Sequence, residues 1–99
     1  MATPESKVKT QAKRILVECG VYFFMPPGAG YGRAGIPDII ACVNGRFLGI
    51  ECKAGKGKTT ALQDRELAAI QAAGGTAVII NEENIHMLKE LISEIRNRK

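Results

Sequence analysis

The chain has 99 residues, of which 45% are hydrophobic, and it carries a net charge of +4. This size predicts one small domain over residues 1–99, and the positive charge favours an acidic partner such as nucleic acid, although many basic proteins bind none. No apolar run approaches about 18 residues, no secretory signal pattern is present, and the three cysteines form no C-x-x-C motif, so a membrane span, export, a disulfide framework and a structural zinc site are not expected.

A helix is predicted at the start of the chain. Thr3 followed by Pro4 is typical of an N-cap with proline at the first helical position, and Gly20 marks the end. Apolar residues recur between them at helical spacing: Val8, Ala12, Ile15, Leu16 and Cys19. Basic residues occupy other sides of the helix: Lys7, Lys9, Lys13 and Arg14. Glu5 falls on the apolar stripe, where it either complements the helix dipole or directs its carboxylate at a site beneath the helix.

An apolar, aromatic strand is predicted over residues 21–25, and a loop rich in proline and glycine follows over residues 26–33. The loop lacks the Gly-Lys-Ser/Thr end of a P-loop, so a nucleotide site is not expected. Its glycines could let a phosphate backbone approach closely, with Arg33 as a phosphate contact and Tyr31 as a stacking surface. The alternative is a plain connecting loop.

A β-hairpin is predicted over residues 36–43 and 46–53, because Asn44-Gly45 between them is a strong signal for a two-residue turn. With that turn Val43 faces Arg46, and counting back along both strands places Asp38 opposite Glu51. Lys53 lies two residues beyond Glu51 and therefore on the same face. Facing carboxylates repel each other, so a divalent metal is the expected compensation.

The two faces of this hairpin are predicted to differ. One face is apolar throughout and should pack against helices; its residues are Ile39, Ala41, Val43, Leu48, Ile50 and Cys52. The other face is apolar in the middle and ionic only at the open end, where Asp38, Glu51 and Lys53 lie. A solvent-facing strand would scatter its charges, so this clustering favours a site.

The second half of the chain is predicted to contain a helix, a strand and a helix. Lys56 and Lys58 form a basic turn that is either simply solvated or able to hold phosphates. Thr60 and Gln63 match a capping box for a helix ending at Gly74-Gly75, and Gln63 either caps that helix or points into the site. Residues 76–80 form a β-branched strand. The last helix, capped by Asn81 or Asn84, has an apolar stripe of Ile85, Leu88, Leu91, Ile92 and Ile95, and the single histidine, His86, is assigned to the surface.

The resulting order is αβββαβα, and its motifs resemble a known superfamily. Pro37-Asp38 followed by Glu51-x-Lys53 resembles the PD-(D/E)XK nucleases. Glu5, the Gly35-x-Pro37-Asp38 form and Gln63 are similar to the VRR-NUC branch in a stand-alone, phage-type form. The resemblance implies an α/β, restriction-endonuclease-like core in which a mixed sheet is flanked by helices.

The resemblance also implies a metal-dependent DNA endonuclease. Mg²⁺ or Mn²⁺ would be held by Asp38, Glu51 and the backbone carbonyl of Cys52, with Glu5 completing the ligand set. Lys53 would orient the attacking water or offset developing negative charge, and Gln63 would position the water or contact a phosphate. The Cys52 side chain points to the other face, so its thiol is not expected to act as a nucleophile.

Small stand-alone proteins of this branch resemble Holliday junction resolvases, which are homodimers. The resemblance therefore implies a homodimer that cuts branched DNA in the reducing cytoplasm of a bacterial or phage-infected host cell. Three alternatives stay open: a flap or general nuclease of the same fold, a non-catalytic nucleic-acid-binding module, and a structural domain whose acids merely form a surface cluster with Lys53.

Overall fold

The computed structural model describes residues 3–27 and 33–98 as a four-stranded sheet with helices on both faces. The elements in chain order are α1 Pro4–Glu18, β1 Tyr22–Phe24, β2 Ile39–Val43, β3 Arg46–Cys52, α2 Ala61–Ala72, β4 Thr76–Ile80, a 3₁₀ turn Ile85–Met87 and α3 Leu88–Arg96. The predicted αβββαβα order is confirmed. Within the described residues no helix has the length and apolar composition needed to cross a membrane.

The sheet is mixed, as predicted. Its strand order is β1-β2-β3-β4, with antiparallel pairing from β1 to β3 and parallel pairing between β3 and β4. The parallel pair requires a crossover, and α2 supplies it. β3 is thus an inner strand, and whatever side chains it carries are placed in the middle of the molecule.

The Asn44-Gly45 turn sets the hairpin register. Asn44 and Gly45 both have positive φ, +50° and +80°, which is the backbone of a type I′ turn. Val43 pairs with Arg46, and Ile39 pairs with Ile50 at the far end of the ladder. The predicted register is therefore confirmed over the paired residues 39–43 and 46–50, whereas residues 36–38, predicted as part of the first strand, precede β2. Asp38 immediately precedes the first paired residue of β2.

One face of the sheet holds the main core. The predicted apolar residues of the hairpin are all buried there: Ile39, Ala41, Val43, Leu48, Ile50 and Cys52. They pack in one cluster with the buried stripes of two helices, which are Val8, Ala12 and Leu16 of α1 and Leu88, Ile92 and Ile95 of α3. Burial of these side chains is the largest favourable contribution to folding.

The other face is only partly covered. α2 lies over its β3 side, where a Cβ built on Gly49 would be 2.9 Å from Ile70 Cδ1. Towards the β1 edge Tyr22, Phe24 and Phe47 stay exposed. This face therefore combines a covered part next to α2 with an open aromatic part.

The helix ends follow the predicted signals with one difference. Thr3 caps α1, and Gly20, with φ of +67°, ends it. The last helix begins differently from the prediction, because a 3₁₀ turn precedes it. Asn81 Oδ1 accepts the amides of Glu83 and Asn84, and the Asn84 side chain bonds back to the chain around β4. Neither asparagine side chain caps α3 itself.

Candidate active site

Gly35 and Pro37 place Asp38 at the end of the hairpin. Gly35 has φ of +84°, and a Cβ built on it would lie 2.5 Å from the Leu62 carbonyl oxygen. Only glycine fits this close approach to the first turn of α2. Pro37 is buried, and its Cγ would lie 3.2 Å from a Cβ built on Gly49. Packing thus explains the Gly-x-Pro-Asp sequence: the glycine and the proline allow this segment to lie between α2 and β3.

The two oxygens of Asp38 have different surroundings. Oδ2 accepts a hydrogen bond from the Cys52 amide at 2.8 Å, which fixes the carboxylate against β3. Oδ1 lies 3.4 Å from Lys9 Nζ. The first oxygen therefore orients the group, and the second faces a cation.

Glu51 is the centre of the site. It is 2% exposed, and among the described residues it is the one buried charged side chain. Its Oε2 lies 3.3 Å from Lys53 Nζ and accepts a hydrogen bond from Gln63 Nε2 at 3.1 Å. Its Oε1 is also buried, and no described residue donates a hydrogen bond to it. Burying a carboxylate oxygen that accepts no hydrogen bond costs free energy, so this atom is a candidate metal ligand.

The surroundings of Glu51 also change its acidity. Burial and the neighbouring Asp38 carboxylate raise the pKa of Glu51 to about 7, against the opposing effect of the Lys53 ammonium. In the metal-free protein the balance of these effects shifts Glu51 towards its protonated form. A divalent cation at Oε1 would reverse that balance.

Gln63 both caps α2 and points into the site, the two roles that the sequence left open. Its Oε1 accepts the Thr60 amide, its own amide donates to Thr60 Oγ1, and together these form the predicted capping box. Its Nε2 meanwhile donates to Glu51 Oε2. The N-terminus of α2 is thus tied directly to the site carboxylate.

Glu5 is linked to the site by Lys9. Glu5 Oε2 lies 3.9 Å from Lys9 Nζ, which in turn contacts Asp38. The sequence places Lys9 with the basic residues on the other sides of α1 and predicts no role for it in the site. Its place four residues after Glu5, on the same side of the helix, is the signal that could have found it.

Three of the four predicted DNA contacts, Arg33, Lys56 and Lys58, lie among the described residues. Arg33 is exposed, and its Nη2 is 3.4 Å from Glu66 Oε1 of α2. Lys56 and Lys58 are exposed in the turn after β3, next to Lys53: a Cβ built on Gly57 would be 3.9 Å from Lys53 Cβ. Tyr31 lies outside the described residues.

The thiol of Cys52 has no part in this site. The side chain is fully buried on the core face, and burial raises the pKa of the thiol to about 12. Such a thiol is a poor nucleophile near neutral pH. The proposed metal contact through the Cys52 carbonyl stays a prediction.

The donor set fits a hard divalent cation in part. Within residues 3–27 and 33–98, no group of three or more His, Cys, Asp or Glu side chains is gathered closely enough to hold a metal. Two carboxylates do lie together, and each has an oxygen to which no neutral group of the described residues donates a hydrogen bond: Asp38 Oδ1, which lies beside Lys9, and Glu51 Oε1, which is buried. Mg²⁺ is commonly held by one or two carboxylates plus water and substrate phosphate, which suits this arrangement.

Comparison with known proteins agrees with the fold. A solved structure of a "VRR_NUC domain" superposes with a TM-score of 0.73, covering 93% of this chain and 97% of that chain at 22% identity, which shows the same fold. The "Putative nuclease p44" of Acyrthosiphon pisum secondary endosymbiont phage 1 is 35% identical over 65 residues, a match that spans 65% of this chain and 66% of the phage protein. The sequence profile of the family described as archaeal Holliday junction resolvase (Hjc) matches residues 6–83, a stretch that includes Asp38, Glu51, Lys53 and Gln63. The chain therefore belongs to the Hjc family of nucleases and has the fold of a VRR-NUC domain.

Proposed function

We propose that this protein is an Mg²⁺- or Mn²⁺-dependent endonuclease that hydrolyses phosphodiester bonds in branched DNA such as Holliday junctions. One observation supports this above the others. Glu51 is 2% exposed and lies beside Asp38 and Lys53. One of its buried carboxylate oxygens accepts no hydrogen bond from any described residue. A structural cluster on the surface would leave its charges in water, so the surface-cluster alternative does not account for Glu51.

The metal would be held by one oxygen of each carboxylate. Asp38 Oδ1 and Glu51 Oε1 would be the direct ligands, the Cys52 carbonyl would be a further ligand, and Glu5 would complete the set through water or a second ion. When bound, the cation lowers the pKa of a water and stabilises the charge that develops on the phosphate. The amide of Cys52 keeps Asp38 in place throughout, because it bonds to the other oxygen.

Lys53 and Gln63 have separate tasks. The Lys53 ammonium is close to Glu51 and largely buried, so it can orient the attacking water and offset negative charge on the phosphate. Gln63 donates a hydrogen bond to Oε2 of Glu51 and thereby leaves Oε1 as the oxygen available to a metal. Its anchoring in the capping box of α2 makes this orientation rigid.

The proposed substrate and assembly rest on the family. A Holliday junction presents two symmetric strands, and a two-fold dimer of this chain would present two equivalent sites to them. The basic turn with Lys56 and Lys58 would contact the phosphates beside the cut. We place this activity in the cytoplasm, where DNA and millimolar divalent cation are both present.

Cleavage assays with labelled four-way junctions, flaps and plain duplex test the proposal. Each DNA is incubated with Mg²⁺, with Mn²⁺ and with EDTA, and each with the wild-type protein, Asp38→Asn and Lys53→Met. Glu90→Gln serves as the matched control, since Glu90 is an exposed acid of α3 outside the site.

We expect metal-dependent cutting of four-way junctions by the wild type and by Glu90→Gln, and none by the two site variants. Equal cutting by Asp38→Asn would reject the assigned site. Equal cutting of all three DNAs would reject the preference for junctions and leave a general nuclease.

A further inference from the structure

Lys9 of α1 occupies the oxygen of Asp38 that a metal would need. Its Nζ lies 3.4 Å from Asp38 Oδ1, and the other oxygen of that carboxylate is already taken by the Cys52 amide at 2.8 Å. The ammonium and a cation therefore compete for one atom. Glu51 differs, because Lys53 contacts its Oε2 and leaves Oε1 free.

A second contact keeps Lys9 at the site when it leaves Asp38. Glu5 Oε2 lies 3.9 Å from the same Nζ, one helical turn before Lys9. The Lys9 side chain is 30% exposed, so its ammonium can move without breaking the core beneath α1. An amine released from Asp38 would stay at the mouth of the site, where a DNA phosphate must pass.

We infer that Lys9 is a positioning residue that exchanges partners during the reaction. In the metal-free protein it neutralises Asp38; when the metal binds Asp38, the Lys9 ammonium moves to a phosphate of the DNA strand. This inference rests on the proposed nuclease function. It makes two demands: Lys9 weakens metal binding to the free protein, and it strengthens the binding of DNA to the metal-loaded protein.

Calorimetric titration with Mn²⁺ tests the first demand without any cleavage. Lys9→Met should bind Mn²⁺ about three- to fivefold more tightly than the wild type, because a partly exposed ion pair no longer has to be broken. Lys9→Arg keeps the charge and should bind like the wild type. Lys13→Met is the matched control: Lys13 lies one turn further along α1 and is half-buried, and within the described residues it has no carboxylate within ion-pair distance.

Steady-state cleavage at saturating Mn²⁺ tests the second demand. Lys9→Met should raise KM for DNA about fivefold or more with little change in kcat, which is the signature of a lost contact to the bound strand. A purely structural role would not produce tighter metal binding together with a higher KM.

Three results would overturn the inference. Unchanged Mn²⁺ affinity in Lys9→Met would show that the ion pair does not compete with the metal, and an equal gain in Lys13→Met would show only a general effect of charge. Unchanged KM in Lys9→Met would remove the phosphate contact. In each case a wild type that binds Mn²⁺ and cuts DNA keeps the proposed function, whereas a wild type that binds no Mn²⁺ removes both.

Discussion

The two faces of the sheet are built from alternating residues of the same strands, yet they follow different rules. Ile50 points to the core face and is fully buried among the apolar stripes of α1 and α3. Glu51, the next residue, points to the other face and is almost as deeply buried, but it is a carboxylate with one oxygen to which no described residue donates a hydrogen bond. On the first face the buried side chains are apolar, so their burial stabilises the fold. On the second face a carboxylate is buried, which costs free energy. A buried carboxylate that the fold keeps at such a cost is where the function is expected.

Adjacent substitutions at positions 50 and 51 give the largest contrast. Glu51→Gln should lower cleavage about 10³-fold or more, because it removes a charged ligand, and should keep the protein folded. Ile50→Ala should destabilise the protein by about 2–5 kcal/mol through a cavity in the core. Cleavage assays and urea unfolding of both variants measure the two effects. A Glu51→Gln protein that cuts DNA normally would show that the second face is not the catalytic one.

Gly35→Ala tests how the chain fits between the sheet and α2. The new methyl group would collide with the Leu62 carbonyl and also strain a positive φ, so we expect a loss of about 2–4 kcal/mol. Gly74→Ala is the matched control, since Gly74 has φ of +96° with no atom within 4 Å of a built Cβ. It should lose only about 1 kcal/mol. Equal melting temperatures for the two variants would mean that the close approach to α2 contributes nothing.

The pKa of Glu51 gives the second face a pH dependence that the first lacks. In the metal-free protein this pKa is raised from 4.5 to about 7. Folding thus favours the protonated form of Glu51. Its contribution to the free energy of unfolding is complete below pH 4.5 and is lost as the pH rises through 7. In EDTA the wild type should lose roughly 1–3 kcal/mol relative to Glu51→Gln between pH 5 and pH 8.

Urea unfolding of the wild type and Glu51→Gln at the two pH values measures this difference, with the exposed-site variant Glu90→Gln as a control that should show no trend. If the difference in unfolding free energy between the wild type and Glu51→Gln is the same at pH 5 and pH 8, the raised pKa of Glu51 is contradicted.

Gln63 and Thr60 separate the helix cap from the site. Thr60→Ala removes the cap alone and should lower stability by about 1 kcal/mol with little effect on cleavage. Gln63→Ala removes the cap and the hydrogen bond to Glu51, so it should also slow cleavage about tenfold. Melting curves and cleavage rates of the pair provide the comparison. Equal cleavage by both variants would reduce Gln63 to a capping residue.

Much of this molecule could be predicted from its sequence, because local signals agreed with one another. The Asn44-Gly45 turn predicts the register of the hairpin, and that register predicts Asp38 beside Glu51, where the structure has it. The alternation of apolar residues in the two hairpin strands likewise identified the core face.

Other features depended on tertiary contacts that no local pattern contains. The ion pair between Lys9 and Asp38 joins a helix to a distant strand end, and a lysine on the flank of a helix is usually solvated. The depth of Glu51 depends on its position in an inner strand between β2 and β4 and on the contact with α2. A 3₁₀ turn precedes α3 in place of a predicted asparagine cap: the Asn81 side chain accepts the amides of Glu83 and Asn84, and the Asn84 side chain bonds to Ile79 and Asn81.

Titration of the metal-free protein with Mn²⁺ at pH 8, followed by calorimetry, tests the central claim that Asp38 and Glu51 form a metal site. The wild type is expected to bind Mn²⁺ at millimolar concentration or below, and Asp38→Asn and Glu51→Gln are expected to bind at least tenfold more weakly. No binding to the wild type at millimolar Mn²⁺, or equal binding by all three proteins, would contradict the account.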